Sequence, residues 1–323
     1  MKARHYIFIL TFVLLSLYTG FSYGQFKDES ETVTPGGAPL GESIIEYWES
    51  GVELNASRGE CKNVRAVVPV PTNWKEQKVK LVKEDISPLA KISFRDVKGG
   101  GKMLMINIPV LPARAKEKVI LRYEIECFAT EAPSDTSIYQ KAENVSKNRD
   151  LRLYLQPSPK IESKDKKITK LAKTIGVDAE NAWKEVEAVY DWVREEIKYE
   201  NGPQKGALAA LKDKTGDCEE LTALFVGICR AKGIPARVVW VPGHCYAEFY
   251  LVDAEGNGHW FPCQTAGDRA FGEMPFQYII LQKGDSFETL LDKKPVKVPY
   301  IPVQLKSLEA QPHAKFITEK VVQ

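Results

Sequence analysis

The sequence is short of histidine, with four in 323 residues, and short of charge imbalance, with 45 Lys and Arg against 43 Asp and Glu. A net charge of +2, with no basic stripe or polyacidic tail, argues against nucleic acid and anionic membrane surfaces as partners. The glycine-rich signatures that hold pyridine nucleotides, flavins or phosphates are missing, so no cofactor is expected. The six cysteines include no Cys-x-x-Cys pair, and no metal is expected. No internal repeat is visible. Beyond the first 24 residues no apolar run reaches the roughly 20 residues that a membrane span needs.

What is present at the N-terminus is an export pattern. Lys2 and Arg4 precede an apolar run over residues 7–17, and Ser22-Tyr23-Gly24 supplies small residues ahead of a cleavage point before Gln25. Residues 1–24 read as a signal peptide, which makes the mature protein secreted or periplasmic with no integral membrane span. An oxidising compartment permits disulfides. A domain of this size needs no staples, so separate buried thiols are the first reading, with Cys61–Cys127 and Cys245–Cys263 as the pairs that could form.

The pattern divides the rest of the chain. Residues 25–43 read as a linker, and 44–143 carry short alternating strands with turn signals, as in a β-sandwich. Residues 144–167 are polar and proline-bearing, a second linker. From 168 to 292 the period becomes helical and then returns to strands. Trp183, Val186, Val189, Tyr190 and Val193 share one helix face and are core rather than ligand contacts. Residues 293–323, with Pro295, Pro299, Pro302 and Pro312, read as an extended tail.

The chemistry lies in Thr215-Gly216-Asp217-Cys218-Glu219-Glu220. Asp217 and Glu220 form a capping box, and Gly233 with Pro235 ends the helix that it opens. Cys218 is therefore in the first turn, where the helix dipole favours a thiolate, although Asp217 and Glu220 oppose it. Cys229, about three turns on, is a core thiol. A thiol nucleophile needs an imidazole base and a group that holds the ring in one tautomer. His244, opening a strand after Pro242-Gly243, is the candidate base; His259, beside a turn, is the fallback and reads as exposed. Arg237 and Glu248 read as structural.

Gly216-Asp217-Cys218, then Lys232-Gly233-Ile234-Pro235-Ala236-Arg237, then Gly243-His244 with Tyr246-Ala247-Glu248, then Trp260-Phe261-Pro262, together resemble the transglutaminase-like superfamily of papain-type thiol enzymes. The resemblance covers about residues 168–287. It implies an α+β fold, a Cys-bearing helix packed on an antiparallel sheet, preceded by the all-β sandwich. It implies Cys218 as nucleophile, His244 as base and Gln264 as the orienting residue. The family has Asp where this chain has Gln264, and papain-type enzymes use a neutral Asn in that role. Gln can accept a hydrogen bond from the ring but cannot stabilise an imidazolium by charge.

The expected activity is acyl transfer from peptide or side-chain amides through a Cys218 thioester, as protease, deamidase or transglutaminase, with a protein or peptide as partner. A second reading keeps the fold as an inactive binding or scaffold module. A third is an exported enzyme whose Cys218 is capped until reduced.

Overall fold

The computed structural model describes residues 37–322. The signal-peptide reading, and residues 25–36 of the first linker, lie outside the described residues. Six strands come first: β1 (Leu40–Asn55), β2 (Cys61–Val70), β3 (Gln77–Ile86), β4 (Lys91–Asp96), β5 (Lys102–Leu111) and β6 (Lys116–Thr130). Strand β6 shows why they form: Val119, Leu121, Tyr123, Ile125 and Cys127 are buried and alternate with more exposed, mostly polar residues, the period-2 pattern of a half-buried strand. β6 pairs with β1 and β3 in one antiparallel sheet, and β5 pairs with β2 and β4 in another. Side chains of both sheets, among them Trp48, Val52, Leu104 and Tyr123, meet in one core.

The helical part follows: α1 (Lys166–Ala172), α2 (Ala182–Glu196), β7 (Lys198–Tyr199), α3 (Ala207–Asp213), β8 (Thr215–Gly216) and α4 (Cys218–Ala231). Helix α4 is central. Every residue from Glu220 to Arg230 is buried, because α1, α2 and α3 pack around it and a sheet lies beneath. That sheet contains β9 (Ala236–Val241), β10 (His244–Val252), β11 (Gly258–Gln264), β12 (Ala270–Phe271) and β13 (Gln282–Lys283), in the order β12-β11-β10-β9-β13. Gly233, at φ 81°, turns the chain out of α4 and into β9.

The chain then crosses back. The short pair β14 (Phe287–Glu288) and β15 (Lys297–Val298) leads to β16 (Gln304–Glu309) and β17 (His313–Val321). β17 joins the first sheet beside β1, and β16 joins the second beside β2. The segment from residue 293 on, expected as an extended tail, thus supplies β16 and β17, which complete both four-stranded sheets. Their extended character was legible, but their partners sit some 250 residues earlier, as in Asn55 opposite His313.

Residues 144–167 are also more than a linker. Gln156 and Ser158 accept hydrogen bonds from the buried Arg230 guanidinium at 2.8 and 3.0 Å, and Ile161 is buried in the core around α4. Arg230 in turn pairs with Asp285 at 2.7 Å.

The strand-rich and helical parts are stitched together by polar contacts. The Gln77 amide donates to the Ile280 carbonyl at 3.0 Å and accepts from the Ile280 N–H at 2.7 Å. Lys283 bridges Glu76 and Glu248, and Glu248 also pairs with Arg237 at 2.6 Å. The turn at Gly100 accepts the Lys283 N–H at 2.9 Å. Gly100 sits at φ 112°, and a Cβ there would fall 2.5 Å from the Lys283 carbonyl oxygen, so only glycine fits. Cys61 and Cys127 lie in opposite sheets, and all six cysteines are free thiols.

Candidate active site

The start of α4 is fixed by its cap. The Asp217 carboxylate accepts the Glu219 N–H at 2.8 Å, and Glu220 reaches back to the Asp217 N–H at 3.3 Å. Cys218 is the first helical residue and is half-buried. Its N–H has no acceptor within the helix.

Two residues bear on its sulfur. They are His244 and Cys245, the first two residues of β10, and both act on the charge state of Cys218. Hydrogen bonding from the Cys245 thiol does most to favour the thiolate. Burial opposes it, and the bond and charge of His244 add to it, so that the Cys218 thiol is brought down to about 4. His244 is affected in the opposite sense. Burial works against the imidazolium, but the bond and charge of Cys218 and the bond to Gln264 raise the ring above its ordinary value.

The acidic neighbours respond differently. Glu219 is pushed up to about 7 by burial and by the charges of Asp217 and Cys218. Asp217 is raised for the same first reason, burial. Glu220 stays on the charged side: burial disfavours this, but the N–H groups of Lys205 and Gly206, at 2.7 and 3.2 Å, outweigh it.

Gln264, at the end of β11, places its side-chain oxygen 3.1 Å from His244 Nε2. Its amide nitrogen donates to the Asp268 carbonyl at 3.2 Å, and its oxygen also accepts the Tyr278 hydroxyl at 3.1 Å. A carbonyl cannot donate, so Asp268 fixes which end of the amide faces His244. The ring nitrogen at Nε2 must then carry the proton, which leaves Nδ1 for Cys218. The backbone of Gln264 is held as well, its carbonyl accepting the Tyr190 hydroxyl at 2.9 Å and Arg194 at 3.1 Å.

The structure thus brings Cys218, His244 and Gln264 together. Tyr278 and Cys245 were not singled out for this place. Tyr278 has no local signal, because it arrives from a loop 14 residues beyond Gln264. Cys245 follows His244, and alternation along a strand turns neighbouring side chains to opposite faces. Cys218 opens α4, which packs on β10, and both His244 and Cys245 act on its charge state. Cys245 and Cys263 are separate buried thiols, and in register Cys263 stands opposite Ala247.

His259 is corrected too. It is buried rather than exposed and bonded to Asp253 at 2.8 Å. It stands five residues along β11 from Gln264, roughly 16 Å at about 3.3 Å per residue. That is beyond reach of Cys218. Among the described residues no group of three or more His, Cys, Asp or Glu side chains is placed to hold a metal ion.

Two clefts meet at His244. One, of about 480 Å³, is lined by Cys218 and Trp240 from the helical part, by Tyr300 from the segment between β15 and β16, and by Trp48 and Thr318 from the paired sheets. The other, of about 590 Å³, is lined by Tyr199, Gln264, Phe276 and Tyr278.

Residues 169–265, which hold Cys218, His244 and Gln264, match the family model of the transglutaminase-like superfamily. This segment is similar to transglutaminase-like domains. The chain also resembles the crystal structure of a candidate cysteine protease from Cytophaga hutchinsonii, at 16% identity and a TM-score of 0.56, over 86% of this chain and 99% of that one. At that identity the likeness speaks for the fold, and it extends beyond the transglutaminase-like domain into the paired sheets. A candidate protease from Parabacteroides distasonis aligns at 14% identity with a TM-score of 0.27, over 66% of this chain and 42% of that one, too distant to argue from. No curated protein matches the sequence. No helix among the described residues is long and apolar enough to cross a membrane.

Proposed function

We propose that the protein is a thiol acyl transferase acting on peptide or side-chain amides, with hydrolysis as its main outcome. The observation that carries this is the ordered chain from Cys218 through His244 to Gln264, with the amide of Gln264 oriented by Asp268. The Cys218 thiolate attacks the amide carbonyl carbon. The free Cys218 N–H at the start of α4 is a donor for the oxygen that becomes negative. His244 gives its Nδ1 proton to the leaving nitrogen as the C–N bond breaks, and a thioester remains. Water then loses a proton to Nδ1 and attacks the thioester, releasing the acid and Cys218. An amine in place of water would give transfer instead.

The two clefts on either side of His244 suit an extended peptide lying across the nucleophile. The rival reading, a binding module that keeps the fold, rests on the uncharged Gln264. Export is part of the proposal and rests on residues 1–24; sequencing the N-terminus of the secreted protein tests it.

The activity is tested by screening a peptide library with wild type and Cys218→Ala, and by trapping the acyl-enzyme at acid pH for intact-mass analysis. A substrate-derived adduct on Cys218 supports the reading. Turnover that survives in Cys218→Ala, or no turnover and no adduct with any peptide, would reject it.

A further inference from the structure

The cleft of about 480 Å³ beside Cys218 is built by parts of the chain that are far apart in sequence. Trp240 lines it from β9, and Trp48 and Thr318 line it from β1 and β17 of the paired sheets. Tyr300, between β15 and β16, lies beside Trp240, with ring centroids 4.9 Å apart and planes inclined at 46°. One residue holds this pair in place. Gln282 stands opposite Trp240 in the sheet, and its side-chain amide donates to the Ile301 carbonyl at 3.0 Å and accepts the Ile301 N–H at 2.9 Å. Ile301 is fully buried, so Tyr300 is anchored by its neighbour, yet its own ring keeps 38% exposure.

The polar ends of both indoles are already used. Trp240 Nε1 donates to the Gly284 carbonyl at 2.8 Å, and Trp48 Nε1 to the Ser50 hydroxyl at 2.9 Å. These rings offer the cleft carbon surface and no free N–H. Besides the Cys218–His244 pair, Glu219 is the one charged side chain among the described residues that line the cleft, and no Lys or Arg is among them. Such a wall favours a side chain that can stack on rings. It disfavours one that brings negative charge toward Glu219 without a counter-charge.

We infer that this cleft is a specificity pocket for an aromatic side chain of the peptide substrate, which stacks against Tyr300 and Trp240 while Glu219 turns acidic residues away. The inference rests on the proposed acyl transfer at Cys218 and names its substrate class. Tyr300, Trp48 and Thr318 all lie outside residues 169–265, so the pocket is completed by what surrounds the transglutaminase-like segment. The paired sheets thereby take part in choosing the substrate.

The test uses the folded full chain and blocked Gly/Ser peptides that carry a single Phe, Leu, Lys or Glu, placed at each position in turn. Binding to Cys218→Ala is measured by isothermal titration calorimetry, which needs no turnover, and kcat/KM is measured with wild type. Burying one aromatic ring should favour the Phe peptides over the unsubstituted peptide on the order of 10- to 100-fold, with Glu peptides the weakest. Both readouts are repeated with Tyr300→Ala, Tyr300→Phe and Thr318→Lys, all at exposed positions that the fold tolerates. Tyr300→Ala should lower the Phe preference roughly 2- to 13-fold, and Tyr300→Phe should keep it. Thr318→Lys should raise the binding of Glu peptides. A Phe preference that is absent, or that survives Tyr300→Ala intact, would overturn the pocket and leave acyl transfer standing. Phe-selective binding that depends on Tyr300 supports the pocket even if no peptide is turned over, in which case the enzyme reading alone fails. No binding and no turnover with any peptide would overturn both.

Discussion

The Gln264 side-chain oxygen meets His244 Nε2 at 3.1 Å, while the Asp268 carbonyl and the Tyr278 hydroxyl hold the amide that supplies it. A neutral residue thereby does part of what a carboxylate would do. It selects the tautomer and the ring orientation, but it adds no charge to the imidazolium. Gln264→Ala frees the ring and should lower kcat/KM on the order of 10²-fold, within the usual range for a positioned acid–base group. Gln264→Glu should instead move the upper limb of the pH profile to higher pH, since a carboxylate stabilises imidazolium. A profile unchanged in both variants would show that Gln264 is only a strand residue.

Tyr278 supports the same amide from the second cleft. Tyr278→Phe removes one hydrogen bond, so a loss of about 0.5–1.5 kcal/mol in transition-state stabilisation is expected, roughly 2- to 13-fold in kcat/KM. Assay of the variant against wild type at neutral pH measures it.

The buried Glu248 is flanked by Arg237 and Lys283. Burial disfavours its charge, but the charges and bonds of Arg237 and Lys283 prevail and hold the carboxyl at about 2. A depressed folded value means that the contribution is complete above the unfolded value of 4.5 and fades as pH falls through about 2. Glu248→Gln leaves two buried cations short of a counter-charge and should cost about 3–5 kcal/mol in denaturant unfolding at neutral pH. The cost should shrink under strong acid.

Deleting residues 304–323 removes β16 and β17 and uncovers β1 and β2 along their length. Exposed strand edges of that kind promote aggregation. The truncated chain should be insoluble or lose its cooperative unfolding transition, measured by circular dichroism. A soluble, cooperatively folding product would show that the two strands are dispensable.

Local signals made the centre of this molecule legible. Asp217, Glu220, Gly233 and Pro235 delimit α4 because capping and breaking depend on neighbours in sequence. His244 was found because it opens a strand after Pro242-Gly243, and Gln264 because it ends another just after Trp260-Phe261-Pro262. What escaped depends on contacts distant in sequence or on the exact point where a helix crosses a strand. The edge role of residues 304–321 is set by pairing with β1 and β2. His259 near a hairpin turn reads as exposed, yet Asp253 draws it inward. The effect of Cys245 on Cys218 arises because α4 packs on β10, a placement that alternation along one strand does not encode.

The central claim is that Cys218 is a thiolate held by His244. Iodoacetamide labelling of Cys218 in reduced protein, followed by peptide mapping from pH 3 to 9 in wild type and His244→Ala, tests it most directly. The thiol is depressed to about 4, so wild-type labelling should be nearly full at pH 6 and fall only as pH drops through about 4. In His244→Ala the midpoint should move to higher pH and labelling at pH 6 should slow. If Cys218 labels no faster than the buried Cys229, or only above about pH 8 as an ordinary thiol does, the account is contradicted.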